Sequence, residues 1–206
     1  MTDHYLYPDG SQVLINLLDI RDRDTLQRVE YHLAALNAPD ALAYADRTKS
    51  INSTTWRGIH RRLFGDLYIW AGKFRVVDLA KGQTVFAPPG VLRTWADREI
   101  LPLFAKAATA ASGREDVIKA LSSCWGELNF LHPFREGNGR ATQILVTALA
   151  RRHGHSIDWR LIDYLTEIRA AKAAQRKDYG AYVAILREAL IKGNRGDAML
   201  AYWPGR

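Results

Sequence analysis

The spacing of apolar residues along the chain predicts a body built mostly from helices. Leu26, Val29, Leu33 and Leu36 recur at three- and four-residue intervals, which places them on one helix face. Asp24 and Gln27 stand at capping-box spacing in front of that stripe, where a carboxylate can accept from the free N–H groups of a first turn. Trp56, Ile59, Leu63 and Leu67 form a second stripe. Ser112 and Glu115 supply another capping box, ahead of Val117, Ile118, Leu121, Trp125 and Leu128. Ala141, Ile144, Leu145, Ala148 and Leu149 predict a helix apolar enough to lie centrally. Leu161, Leu165 and Ile168, then Val183, Leu186 and Leu190, predict two more, the last stopped at Gly193.

One region breaks this rhythm. Between Lys73 and Ala87 the period falls toward two: Phe74, Val76 and Val77 precede a break at Ala80-Lys81-Gly82, and Thr84, Val85 and Phe86 follow. This predicts a small β-hairpin, with Pro88 and Pro89 closing it and opening the next helix. A lone hairpin is marginal in water, so it is expected to rest on the helical body. Its unpaired edge is then either a liability or a docking surface. The fold class expected is all-α, a helical bundle carrying one β-hairpin flap. A single domain is expected over 1–206, with a core at about 5–195, the flap at about 73–87 and the key loop at 132–140.

Composition narrows the class. The chain has 206 residues, 48% apolar and 25% charged, as ordinary globular domains do, which excludes disordered and fibrous classes. Lys and Arg number 29 against 22 Asp and Glu, so the net charge is +7 and acidic partners are favoured. Basic residues are scattered, and no helix-turn-helix spacing, zinc motif or aromatic RNA-binding signature stands out, so direct nucleic-acid binding is not expected. The single cysteine, Cys124, excludes an intrachain disulfide and suits a reducing compartment; it is read as an inert buried residue. No apolar run approaches the roughly 20 residues of a membrane span, and MTDHYLYPDG does not read as a secretory signal.

The chemistry concentrates in residues 132–140, His-Pro-Phe-Arg-Glu-Gly-Asn-Gly-Arg. Gly137 and Gly139 remove side chains where a helix begins, so free N–H groups and the positive end of the helix dipole favour a phosphate. Asn138 tolerates unusual backbone angles and offers an amide donor, and Arg140 can pair with a terminal phosphate. Glu136 would repel a bare anion and makes sense with Mg²⁺ between them. His132 has the side chain suited to general-base work near neutrality.

HPFREGNGR resembles the signature of the Fic family, HPFx[D/E]GN[G/K]R, at every fixed position. His4-Tyr5-Leu6-Tyr7-Pro8 is similar to the opening of bacterial Fic toxins and Bartonella-effector Fic domains, and Trp70-Ala71-Gly72 with Lys81–Ala87 resembles the family's flap and its approach. The resemblance covers nearly the whole chain, most firmly Tyr5 to Arg152. It implies an adenylyltransferase that moves AMP from ATP to a Tyr, Ser or Thr hydroxyl of a target protein and releases pyrophosphate. In that reading His132 deprotonates the hydroxyl and Glu136 holds Mg²⁺. Gly137, Asn138 and Gly139 form an anion hole, Arg140 holds the outer phosphates, and Phe134 anchors the loop in the core. Lys81, Gly82 and Gln83 of the flap reach toward the nucleotide, while Thr84, Val85 and Phe86 dock an extended target segment. Gly139 favours AMP transfer, because the kinase-like branch of the family has Lys there. A bacterial cytoplasm is implied, or another cell after delivery as an effector.

Two features depart from the commonest pattern. Many such enzymes carry a second Arg where this chain has Gln143, a candidate γ-phosphate contact without charge. Many are also silenced by a helix with [S/T]xxxE[G/N]; here the only Glu followed by Gly or Asn is Glu136, inside the motif. A separate small antitoxin is therefore an implied partner, with an antitoxin-independent effector as the alternative. Transfer of UMP, GMP or a phosphoryl group, or a catalytically weak binding module, are the competing functions. Blander readings apply elsewhere. His132 with Glu136 has zinc-ligand spacing but no third ligand in pattern, and His153 and His155 read as surface. His60 reads as a hydrogen-bonded structural histidine. Tyr179 and Tyr182 read as core, with a nucleobase pocket as the alternative, and Lys81-Gly82-Gln83 reads equally well as plain turn chemistry.

Overall fold

A computed structural model describes residues 3–82, 84–109 and 113–193. Helices α1 (Arg23–Arg47) and α2 (Ser53–Phe64) lead into the flap, whose strands β1 (Ala80–Lys81) and β2 (Thr84–Val85) pair Ala80 with Val85 and Lys81 with Thr84. A 3₁₀ turn at Pro89–Val91, the short helix α3 (Leu92–Trp95) and a π-helical turn at Ala96–Ile100 continue into α4 (Leu101–Thr109). Helices α5 (Arg114–Leu131) and α6 (Asn138–Arg152) flank the 132–137 loop. After β3 (His155–Ile157) come α7 (Tyr164–Ala174), α8 (Gly180–Ala189) and β4 (Leu190–Lys192), which pairs antiparallel with β3. The architecture is the expected helical bundle with a β-hairpin.

Helix α6 is central, as its pattern predicted. It packs on α1, α2, α4 and α5, and Ile144, Leu145, Val146, Ala148, Leu149 and Ala150 are fully buried. Trp56, Ile59, Leu63 and Leu67 are also fully buried. Helix α1 departs from expectation. Its buried residues are Leu26, Glu30, Ala34, Ala38, Ala41, Leu42 and Ala45, a stripe of mostly small side chains at three- and four-residue steps, and Leu36 is 75% exposed. Small alanines permit close approach to α2 and α6, a signal that counting large apolar residues misses. Its N-cap is Asp22, which accepts from the Thr25 amide at 2.8 Å, rather than Asp24. Gly113 caps α5, and Ser112 lies outside the described residues.

Three further corrections concern element bounds. The flap strands are confined to 80–81 and 84–85, and 73–79 is a loop fastened to the end of α5. The predicted helix through Leu161, Leu165 and Ile168 is split: Trp159–Leu161 is a 3₁₀ turn, and Leu161 and Leu165 are exposed, with Ala170 and Ala174 buried instead. Helix α8 ends at Ala189 because Leu190–Lys192 joins β3, so Gly193 does not stop it. His155 accordingly sits in a strand, and His153 contacts the Ala107 carbonyl. Among the described residues no helix is long and apolar enough to cross a membrane.

Candidate active site

The loop is held by its own side chains before any ligand is considered. Asn138 is buried, and its amide accepts from the Phe134 N–H and donates to the Phe134 carbonyl, both at 2.8 Å. Its side chain is thus a staple inside the loop, so any part it takes in the anion hole falls to its backbone. Phe134 is fully buried against Trp56 and His60, the expected anchor. Gly137 has φ +78°, and a Cβ there would meet the Phe64 ring at 2.3 Å, so both conformation and space demand glycine. Helix α6 starts at Asn138, and the N–H groups of its first turn have no intrahelical carbonyl. They form the anion-favouring end that the spacing of the two glycines predicted.

His60 is the structural histidine expected, with a specific task. The Gly72 N–H donates to its Nδ1 at 3.0 Å, so Nδ1 carries no proton. Its Nε2–H therefore donates to the Glu136 carbonyl at 2.9 Å. Burial drives its pKa down to about 3.

His132 ends α5 in a left-handed conformation, φ +44°. Its Nδ1 lies 3.3 Å from the Asn129 carbonyl, and its ring stacks on Phe86 of the flap at 3.8 Å between centroids and 11° between planes. Burial lowers its pKa to about 4; Glu136 opposes this, and Arg75 and Lys81 reinforce it. The imidazole is therefore neutral at pH 7, the state a base requires.

Arg140 bonds to Glu30 of α1, lies 3.6 Å from Glu136, and rests over the Phe64 ring at 4.8 Å. Glu30 is buried and also accepts from the Tyr68 hydroxyl; burial raises its carboxyl pKa against the pull of Arg140. The Glu136 side chain is 47% exposed, and one oxygen accepts from the Gly137 N–H at 2.8 Å. Among the described residues no cluster of three His, Cys, Asp or Glu forms a metal cage. A single accessible carboxylate suits Mg²⁺, which keeps several waters and takes its other ligands from phosphates.

Lys81 and Gly82 lie exposed at the flap turn, Gln83 lies outside the described residues, and Val85 is 68% exposed. Thr84 is half-buried; Phe86 is also half-buried and turns toward His132. Gln143 lies on α6, and its carbonyl accepts from Thr147 at 2.8 Å. Tyr182 is core and bonds Asn129; Tyr179 bonds Glu127. Cys124 is fully buried, and burial raises its thiol pKa, as expected of an inert residue. Glu30, Tyr68 and Arg75 are site residues that periodicity did not reveal. The clue to Glu30 was a carboxylate in register with an alanine stripe.

Residues 50–150 match the model of the Fic/DOC family. The chain is 34% identical to a probable protein adenylyltransferase of Sinorhizobium fredii over 157 residues, covering 76% of this chain and 79% of that one. It belongs to the Fic/DOC family. The protein adenylyltransferase VbhT of Bartonella schoenbuchensis is 33% identical over 93% of this chain, which spans 39% of VbhT's length. The fold is shared with a Bartonella quintana N-terminal Fic domain solved with bound ADP: TM-score 0.83, 22% identity, covering 92% of this chain and 95% of that one. It is also shared with BepC of Bartonella tribocorum, solved with AMPPNP: TM-score 0.77, 19% identity, covering 92% and 97%.

Proposed function

We propose that this chain is a protein adenylyltransferase that transfers AMP from ATP to a Tyr, Ser or Thr hydroxyl of a target protein. The observation that carries the reading is the intact 132–140 loop, with a neutral His132 beside the bare first turn of α6. His132 takes the proton of the target hydroxyl through Nε2, since Nδ1 faces the Asn129 carbonyl. The freed oxygen attacks the α-phosphorus, a P–O bond forms, and the bond to the β-phosphate oxygen breaks, releasing pyrophosphate. A positioned base contributes roughly 10²–10⁴-fold. The α6 N–H groups and Arg140 stabilise charge on the phosphate oxygens. Glu136 would hold Mg²⁺, which supplies charge neutralisation on the phosphates. The small Gly139 leaves room for the AMP-transfer orientation. Lys81, Gly82 and Gln83 lie toward the nucleotide in this reading.

The target enters as an extended segment docked along the flap at Thr84, Val85 and Phe86, which brings its hydroxyl to His132, whose ring Phe86 stacks on. A small antitoxin is the second protein partner we propose, and the basic surface suits acidic partners of either kind. A bacterial cytoplasm is the proposed location, with delivery into another cell as the effector case. Gln143 favours one rival specifically, a different nucleotide donor. Incubating the chain and its His132→Ala variant with base- and α-phosphate-labelled ATP, UTP or GTP in lysate tests this. ATP-dependent, His132-dependent protein labelling is expected. Labelling only from UTP or GTP supports the rival, and none at all supports a binding module.

A further inference from the structure

Arg75 follows the turn after Gly72 and is 1% exposed. Its guanidinium is bonded to main-chain carbonyls rather than to a carboxylate. Nε donates to the His132 carbonyl at 2.9 Å, Nη1 to the Val77 carbonyl at 2.7 Å, and Nη2 to the Ala87 carbonyl. Val77 and Ala87 lie on the two legs of the flap hairpin, just outside its strands. The backbone repeats the seam: the Arg75 N–H donates to the Pro133 carbonyl at 2.8 Å, and the Ala87 N–H to the Phe130 carbonyl at 3.3 Å. One planar fork therefore joins both legs of the flap to the residue that bears the base. Burying a cation is costly, and apolar replacements of buried charges are often tolerated, so this one calls for a positional task. A lysine ammonium lacks the fixed fork that reaches three diverging carbonyls at once. Residue 86 lies next to a clamped carbonyl, and its ring is the one stacked on His132.

We propose that Arg75 is a positioning residue that sets the register of the flap against the His132 imidazole. The inference rests on the adenylyltransferase reading for its kinetic consequence but not for its structural one. A misplacement of about 1 Å costs on the order of 100-fold in rate. Arg75→Lys, which keeps the buried positive charge, is expected to slow protein labelling from α-labelled ATP about 100-fold while weakening MgATP affinity by calorimetry far less, since only the turn of the flap touches the nucleotide. The stacked Phe86 ring shifts the NMR signals of the His132 ring protons, and Arg75→Lys is expected to lose that shift. Arg75→Met is expected to lose it too, and also to raise the pH of the acid limb, because a nearby cation is gone. Wild-type labelling with Arg75→Lys overturns the proposal, as does a fall in MgATP affinity in step with labelling. If Arg75→Lys does not fold, Phe86→Leu carries the test, with labelling slowed at unchanged MgATP affinity; full activity there overturns it. If the wild type labels nothing, the functional reading fails, and the NMR shift still decides the register.

Discussion

His60 makes the fold sensitive to acid in a calculable way. Its imidazole is fully buried, accepts from Gly72 and donates to Glu136, so a second ring proton would face an N–H donor. In the unfolded chain the group titrates near 6.5, and in the native state near about 3, because burial disfavours the charged form. Between those values the unfolded state binds a proton that the native state refuses, so stability falls as pH falls. From pH 8 to pH 5 the linkage removes about 2 kcal/mol for His60. His132, held near about 4, removes about 2 kcal/mol more over the same range. Urea unfolding at pH 8, 7, 6 and 5 measures the sum, and His60→Gln, which cannot titrate, isolates the His60 share. Glu30, whose raised carboxyl acts in the opposite sense, is present in both proteins and cancels in the difference. His60→Gln is expected to be less stable at pH 8, through lost stacking on Phe134, but to lose about 2 kcal/mol less than wild type on going to pH 5. Equal losses in the two proteins would refute the assignment of His60 as a buried neutral hinge of the loop.

Other substitutions test the loop directly. Gly137→Ala combines a left-handed φ with a clash against Phe64 and is expected to cost about 2–5 kcal/mol in urea unfolding, with labelling lost; a neutral effect contradicts the reading. Asn138→Ala orphans both Phe134 backbone groups and is expected to cost about 2–4 kcal/mol, where a cost near zero would show that the staple is dispensable. Gln143→Arg adds a charged donor and is expected to lower the KM for ATP roughly tenfold; a fall in ATP-dependent labelling counts against that position.

The legible parts of this molecule were those with strong local signals. Helix α6 announced itself through an apolar run, and the active loop through a dense set of chemically demanding residues. Parts that depend on tertiary partners were hidden. Glu30 is buried only because Arg140 and Tyr68 meet it there, so its polarity argued against the face it occupies. Arg75 looks like a surface residue until the carbonyls of Val77, Ala87 and the distant His132 converge on it. Strands β3 and β4 are 33 residues apart, 157 to 190, and three residues long, too short for periodicity to register. Leu36 and Leu165 failed for the converse reason: a large apolar side chain does not by itself choose the buried face when alanines pack more closely.

The central claim is that the group transferred is AMP, with His132 as the base. Parallel incubation of the chain and lysate with ATP labelled at the α- or the γ-phosphate, followed by mass spectrometry of the labelled protein, tests it most directly. The account predicts label from the α-phosphate only, an adduct of the mass of AMP on a Tyr, Ser or Thr, and none with His132→Ala. Label from the γ-phosphate, or undiminished labelling by His132→Ala, would contradict it.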